Sequence, residues 1–253
     1  RVAQNLGTDK IVNFSKKLGI YDNPEELISI SLGSAETTLL KLTSAYCSFA
    51  NGGKLIKPIL IDRIQDSEGN TIYNSETRKC KTCDQISFLG NNVPKISDNF
   101  TQIFSPETAY QITSMLEGVI KRGTGKKLNK LKLDIAGKTG TTNKNTDTWF
   151  VGFTSKLVVG VYVGLDEPKS LGKRETGSKT AMPVFRKFIT EAIEKKDTRP
   201  FKVADNITMM VIDRLTGQKA NFASKEIIVE VFKKNNINVD THGNLNINNR
   251  LKN

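Results

Sequence analysis

The sequence predicts an α+β fold: an antiparallel sheet covered by helices on both faces. Three observations predict it. First, three β-type runs follow one another with short links: one opens at Leu133, one covers residues 148–154 and one covers 157–165. Consecutive strands joined this tightly form an antiparallel meander. Second, the run 157–165 is apolar on both of its sides, so neither sheet face can look at water. Third, residues 181–195 place Val184, Phe185, Phe188, Ile189, Ala192 and Ile193 at helical spacing, with Pro183 in the first turn. That segment is the predicted cover for one face. Glycines at 152, 160 and 164 predict close packing against bulky neighbours.

The remaining elements follow in order. Residues 8–18 read as a helix capped by Thr8, with Ile11, Val12, Phe14 and Leu18 as its apolar face and Gly19 as its stop. Asn23-Pro24-Glu25-Glu26 turns the chain, and the alternation over 28–33 reads as a short extended segment. A helix is predicted over 37–50, buried through Leu39, Leu40, Tyr46 and Cys47 and ended by Asn51-Gly52-Gly53 in a left-handed cap. Pro58 opens a strand over 59–64, which turns at 67–70 and returns over 71–73 as a hairpin. Residues 74–99 are polar and read as an excursion loop. Ser105-Pro106-Glu107 starts the next helix with a cap hydroxyl, a first-turn proline and an acid on the positive dipole end. Gly123-Thr124-Gly125 breaks that helix. Arg199-Pro200-Phe201 marks a boundary, 207–213 reads as a strand, and the Asn- and Lys-rich tail beyond about 233 is read as disordered. This divides the chain into a main unit over 1–198, an extension over 199–232 and a tail over 233–253.

The 253 residues allow one sizeable domain and a tail. The chain opens at Arg1 with an amphipathic run almost at once, and reads as a piece of a longer protein. No apolar run approaches the ~20 residues that cross a bilayer. The net charge is +12, yet lysines recur along the whole chain and no basic run interleaves with aromatics. That distribution argues against nucleic-acid binding. Cys47 falls in an apolar helix pattern, as a small buried hydrophobe would. Cys80 and Cys83 form one C-x-x-C, half of a tetrahedral zinc site, and the single histidine, His242, is far away. The pair reads as a local disulfide in an oxidising compartment or as free thiols; no metal and no cofactor are expected.

The chemistry concentrates in Ala136-Gly137-Lys138-Thr139-Gly140-Thr141-Thr142. Gly140 implies a close backbone approach. Lys138, the three threonine hydroxyls and unpaired edge-strand amides form a set of donors aimed at an anion. A carboxylate lying along the strand edge would use them all.

Several segments together resemble the transpeptidase domain of class A, or bifunctional, penicillin-binding proteins. They are Lys138-Thr139-Gly140-Thr141-Thr142 followed by Asp147-Thr148-Trp149-Phe150-Val151-Gly152-Phe153, the upstream Leu32-Gly33-Ser34-Ala35-Glu36 and Phe49-Ala50-Asn51-Gly52-Gly53, and Gly177-Ser178-Lys179-Thr180-Ala181-Met182-Pro183. The resemblance implies a penicillin-binding-protein/serine β-lactamase-like fold, truncated on its N-terminal side. It implies that Lys138, Thr139 and Thr141, with Gly140 and Thr142 beside them, hold the terminal carboxylate of a D-Ala-D-Ala stem peptide, and that the Thr141 amide is one oxyanion-hole donor. The family also uses S-x-x-K and S-x-N motifs. Ser170-Leu171-Gly172-Lys173 and Ser97-Asp98-Asn99 match these formally but stand in the wrong order and context, so the nucleophile is expected outside this sequence. The implied partners are peptidoglycan stem peptides, their lipid-linked precursor, β-lactams and a cell-wall synthesis complex. A missing N-terminal segment would anchor the parent protein in the bacterial inner membrane, facing the periplasm, and bring a glycosyltransferase domain with it. Alternatives are a serine β-lactamase, a D,D-carboxypeptidase or a non-catalytic peptide-binding module.

Overall fold

The computed structural model describes residues 1–76, 78, 96–194, 199–239 and 245–247. Two short helices open the chain, α1 (Val2–Leu6) and α2 (Thr8–Lys17). Gly7 joins them at φ +94°, which makes Thr8 the first helical residue of α2 rather than its cap. Residues 28–33, read above as extended, form a turn of 3-10 helix, Ile28–Leu32. Local bonds win there: the Ser31 hydroxyl donates to Ile28 O at 2.7 Å, and Gly33, at φ +82°, donates its N–H to Ile30 O at 2.9 Å.

Helix α3 (Leu39–Ala50) is capped by Thr38, whose hydroxyl accepts the Lys41 N–H at 3.2 Å, and is followed by Gly52 and Gly53 in left-handed conformations. The hairpin β1 (Arg63–Gln65) and β2 (Thr71–Asn74) comes next. Its turn is organised by Asp66, whose carboxylate accepts the amides of Glu68 and Asn70. The strand starts at Arg63 and not at 59; Ile59, Leu60 and Ile61 are exposed instead. Cys80, Cys83, His242 and most of the 74–99 loop lie outside the described residues.

Helix α4 (Pro106–Arg122) begins as the sequence predicts, with Ser105 Oγ accepting the Thr108 N–H at 3.3 Å and Glu107 in the first turn. A 3-10 segment, Lys126–Leu131, buries Leu128 completely and leads into the sheet. The strands are β3 (Ala136–Thr141), β4 (Thr148–Phe153) and β5 (Val158–Val163), antiparallel in the order β3-β4-β5. Strand β3 begins at Ala136, later than Leu133. In register, Thr139 faces Phe150, which faces Val161, while Gly140 faces Trp149, which faces Tyr162.

This register sorts the side chains onto two faces. Helix α5 (Ala181–Ala192) covers the face of Phe150, where the Phe150 and Phe185 rings meet at 4.7 Å. Gly152 makes room for that contact, since a Cβ there would lie 2.9 Å from the Phe185 ring. Helix α3 covers the opposite face: a Cβ on Gly160 would run into Leu39 and Thr43, and the Tyr46 ring lies 6.4 Å from that of Phe153. The predicted two-sided cover is therefore present. Ile120 of α4, Leu128, Phe150, Phe185 and Ile189 close one continuous core, each large side chain contributing about 2–3 kcal/mol through burial.

Strand β6 (Ile207–Asp213), which the sequence suggested, pairs with β7 (Ile227–Lys233), which it did not. The hairpin lies on α4. Gln111 donates to Val231 O at 3.2 Å, Arg122 pairs with Glu230, and Lys233 Nζ donates to Thr108 Oγ1 at 2.7 Å. Within the stretch read as an irregular tail, β8 (Ile237–Val239) pairs with β9 (Leu245–Ile247).

Candidate active-site strand

Strand β3 is an edge strand, and its pairing decides which backbone groups are available. The Thr142 N–H donates to Asp147 O at 3.1 Å. Antiparallel bonding alternates from that pair, so Gly140 and Lys138 exchange bonds with Trp149 and Val151. The amides and carbonyls of Thr139 and Thr141 consequently face the open edge. Their side chains share the α5 face of the sheet, and the Lys138 side chain leaves from the α3 face, the one to which position 140 belongs.

The side chains then converge on that edge. Lys138 is exposed, and its ammonium donates to Thr139 O at 2.8 Å, so it bends back from its own face to the open side of the strand. Thr139 Oγ1 lies 2.9 Å from Thr124 Oγ1. Thr141 is exposed, and its hydroxyl oxygen accepts the Gly177 N–H at 3.1 Å. Gly140 supplies space: a Cβ there would meet Trp149 Cβ at 3.1 Å. Thr142 is engaged in the following turn, its oxygen accepting the Asp147 N–H at 2.8 Å and lying 2.8 Å from Thr146 Oγ1. Of the five residues singled out in the sequence, Lys138, Thr139 and Thr141 thus present donors at the edge, while Gly140 and Thr142 shape it.

Two residues beside the edge were not singled out. Gly177 sits directly on the strand pair; a Cβ there would lie 2.6 Å from Gly140 O. Thr124 reaches Thr139 from the turn after α4. Thr124 stands between two glycines and Gly177 opens a segment quoted for the family resemblance, but their targets could be read only from the fold. Asp147 and Trp149 have structural partners. Tyr162 donates its hydroxyl to Asp147 Oδ1 at 2.8 Å and packs its ring 4.7 Å from Trp149. That hydrogen bond, with some burial, raises the Tyr162 phenol above its ordinary range.

The two formal motif matches both lie in loops. Ser170 lies in a loop, not at a helix start, and its hydroxyl accepts the Gly172 N–H at 3.2 Å. Asp98 pairs with Lys54, which holds its carboxyl below the usual range, and accepts the Phe100 N–H at 3.0 Å. Among the described residues no group of three His, Cys, Asp or Glu side chains could hold a metal ion, and no helix is long and apolar enough to cross a membrane.

Comparison with known proteins agrees with this architecture. Penicillin-binding protein 1A of Rickettsia bellii is 45% identical over 239 residues, which is 94% of this chain and 30% of that protein. The crystal structure of penicillin-binding protein 1A from Haemophilus influenzae superposes with a TM-score of 0.75 at 32% identity, covering 90% of this chain and 36% of the other. The PonA1 protein from Mycobacterium tuberculosis in complex with penicillin V shares the fold at a TM-score of 0.56 and 21% identity, over 74% of this chain and 50% of the other. The chain therefore spans about a third of the length of these first relatives. Residues 1–190 match the penicillin-binding protein transpeptidase domain, and the chain belongs to that family.

Proposed function

We propose that this chain supplies the carboxylate-binding wall of a serine D,D-transpeptidase that cross-links peptidoglycan stem peptides. The observation that carries the reading is the open edge of β3. There the Lys138 ammonium, the Thr139 and Thr141 hydroxyls and two outward-facing amides stand within one extended stretch. An extended peptide laid along this edge continues the sheet, and its terminal carboxylate meets the ammonium and the hydroxyls.

The chemistry follows from that placement. A serine oxygen from outside this sequence attacks the carbonyl between the two D-Ala residues. Negative charge grows on the carbonyl oxygen, and the outward Thr141 N–H donates to it. The C–N bond breaks, the terminal D-Ala leaves with the proton that the serine gave up, and the acyl-serine ester is attacked by an amine of a neighbouring strand, which loses a proton as the serine regains one. A β-lactam carries a carboxylate beside a strained amide and enters the same reaction at its first step. In the parent protein, Lys138 binds the leaving D-Ala through its carboxylate. The family supports a parent protein anchored in the bacterial inner membrane, working at its outer face on stem peptides and their lipid-linked precursor within a cell-wall synthesis complex.

The test is acylation of the full-length protein by a fluorescent penicillin. Thr139→Val and Lys138→Ala should each lower the second-order rate by about 10- to 100-fold, as expected for losing a hydrogen bond to a charged group. Rates unchanged in both variants would end the proposal. The chain on its own should give no covalent adduct; an adduct mapped by mass spectrometry to Ser170 would place the nucleophile here instead. Rapid hydrolysis of the adduct would favour a β-lactamase or carboxypeptidase.

A further inference from the structure

We infer that Thr124 is a further positioning residue of the strand edge: its hydroxyl holds the Thr139 hydroxyl so that the Thr139 proton points at the substrate carboxylate. This rests on the reading of β3 as a carboxylate wall.

The two hydroxyl oxygens lie 2.9 Å apart although fifteen residues separate them, and Thr124 is exposed. A hydroxyl has one proton and two lone pairs. Alone, either threonine can donate to the other. A bound carboxylate removes that freedom, because an ionised carboxylate only accepts. Thr139 must then give its proton to the anion, and Thr124 must give its own to Thr139. The charge-assisted bond is strengthened, since the donor Thr139 is itself polarised by an accepted hydrogen bond. Thr141, two residues along on the same face, has the same arrangement: the Gly177 amide fills one of its lone pairs and leaves its proton to point outward.

The turn that carries Thr124 is built to stay in place. The N–H groups of Gly123 and Gly125 both donate to Val119 O at 3.0 Å. A Cβ at 123 would lie 2.9 Å from the Val119 backbone, and one at 125 would lie 2.6 Å from Ile120 Cδ1. Backbone blocks a side chain at 123 and the buried Ile120 crowds one at 125, with the turn pressed onto the end of α4. Leu128, fully buried, pins the other end and donates its N–H to Gly125 O at 2.9 Å. A side chain used only as a solvated surface group would need none of this.

The experiment compares acylation of the full-length protein by benzylpenicillin and by its methyl ester, which lacks the anionic carboxylate. Thr124→Val should slow acylation by the acid about 3- to 10-fold and leave the ester rate unchanged. Thr124→Ser should restore the acid rate, and the Thr124→Val/Thr139→Val double variant should be no slower than Thr139→Val alone. An acid-to-ester ratio at the wild-type value in Thr124→Val, with a lowered ratio in Thr139→Val, overturns the role of Thr124 and spares the wall. Equal loss with acid and ester makes Thr124 a merely structural residue and also overturns it. A wild-type ratio in Thr139→Val overturns both readings.

Discussion

Replacing Gly177 by alanine tests the geometry of the strand edge most directly. Gly177 is not in a left-handed conformation, so nothing but space forbids a side chain there. The added Cβ would lie 2.6 Å from Gly140 O and 3.2 Å from Gly140 N, and closer still to Trp149 O. All three are backbone atoms of paired strands and cannot rotate away. The turn must lift off the sheet instead, carrying with it the bond from Met182 N to Gly177 O and the one from Gly177 N to Thr141 Oγ1. Overpacking of this kind costs about 1–3 kcal/mol, and the lost hydrogen bond about 1 kcal/mol more. At 2–4 °C per kcal/mol for a domain of this size, Tm should fall by roughly 4–16 °C. Circular dichroism melting reads the first effect, and the penicillin acylation rate reads the second, because Thr141 loses the donor that orients it. A variant that melts within about 1 °C of the parent and acylates at the parent rate would show that Gly177 does not press on Gly140, and the orientation argument would fall with it.

Other substitutions separate backbone crowding from softer contacts. Gly118→Ala in α4 meets only the Arg122 guanidinium, 3.0 Å away at the end of a flexible side chain, so the gain in helix propensity should hold stability within about 1 kcal/mol of the parent by thermal melting. Thr148 is fully buried on β4 and its hydroxyl has no hydrogen-bond partner among the described residues, so Thr148→Val should stabilise the chain by about 1 kcal/mol or more in a denaturant titration; destabilisation would reveal a hidden partner. Tyr162 titrates above its ordinary value of 10.0 because Asp147 accepts its proton, so whatever stability this bond contributes is complete below pH 10 and is lost as pH rises through the elevated value. Asp147→Ala should bring that titration down in the NMR spectrum of labelled tyrosine, with Tyr162→Phe assigning the signal.

What was legible in the sequence was whatever short-range periodicity encodes. The meander could be read because apolar runs and tight links fix antiparallel order, and the donor set on β3 because a strand edge exposes alternate residues whatever lies around it. The start of α4 could be read because Ser105, Pro106 and Glu107 each satisfy a separate need of a helix terminus. The failures have two causes, one local and one long-range. The alternation at 28–33 suggested extension, but Ser31 found a local carbonyl and the chain coiled. Strand β7 went unread because Glu230 and Lys233 dilute its apolar run, and what orders it lies more than 100 residues earlier, at Thr108, Gln111 and Arg122. Thr124 and Gly177 went unassigned for the same reason. Each is a single small residue whose meaning is a contact across the fold.

Those two contacts bear on how this strand edge would bind a carboxylate under the proposed function. A threonine hydroxyl on an exposed strand normally satisfies itself with whatever acceptor is near, usually a backbone carbonyl, and so has no proton to offer. At this edge two of the competing interactions are already taken up. Lys138 takes the Thr139 carbonyl, which would otherwise face the incoming carboxylate with its negative end. The Gly177 amide, which can only donate, fills a lone pair of Thr141. Under the proposed function the Lys138 contact would do more than bring charge: it would mask an acceptor that repels a carboxylate. Lys138→Met keeps most of the length of the side chain and loses the mask as well as the charge. It should accordingly weaken carboxylate recognition more than high salt does, because salt screens the ammonium but leaves it bound to the carbonyl. Acylation by benzylpenicillin across a salt series, in the full-length protein and in its Lys138→Met variant, separates the two contributions. A variant that matches the parent at high salt would reduce Lys138 to a point charge.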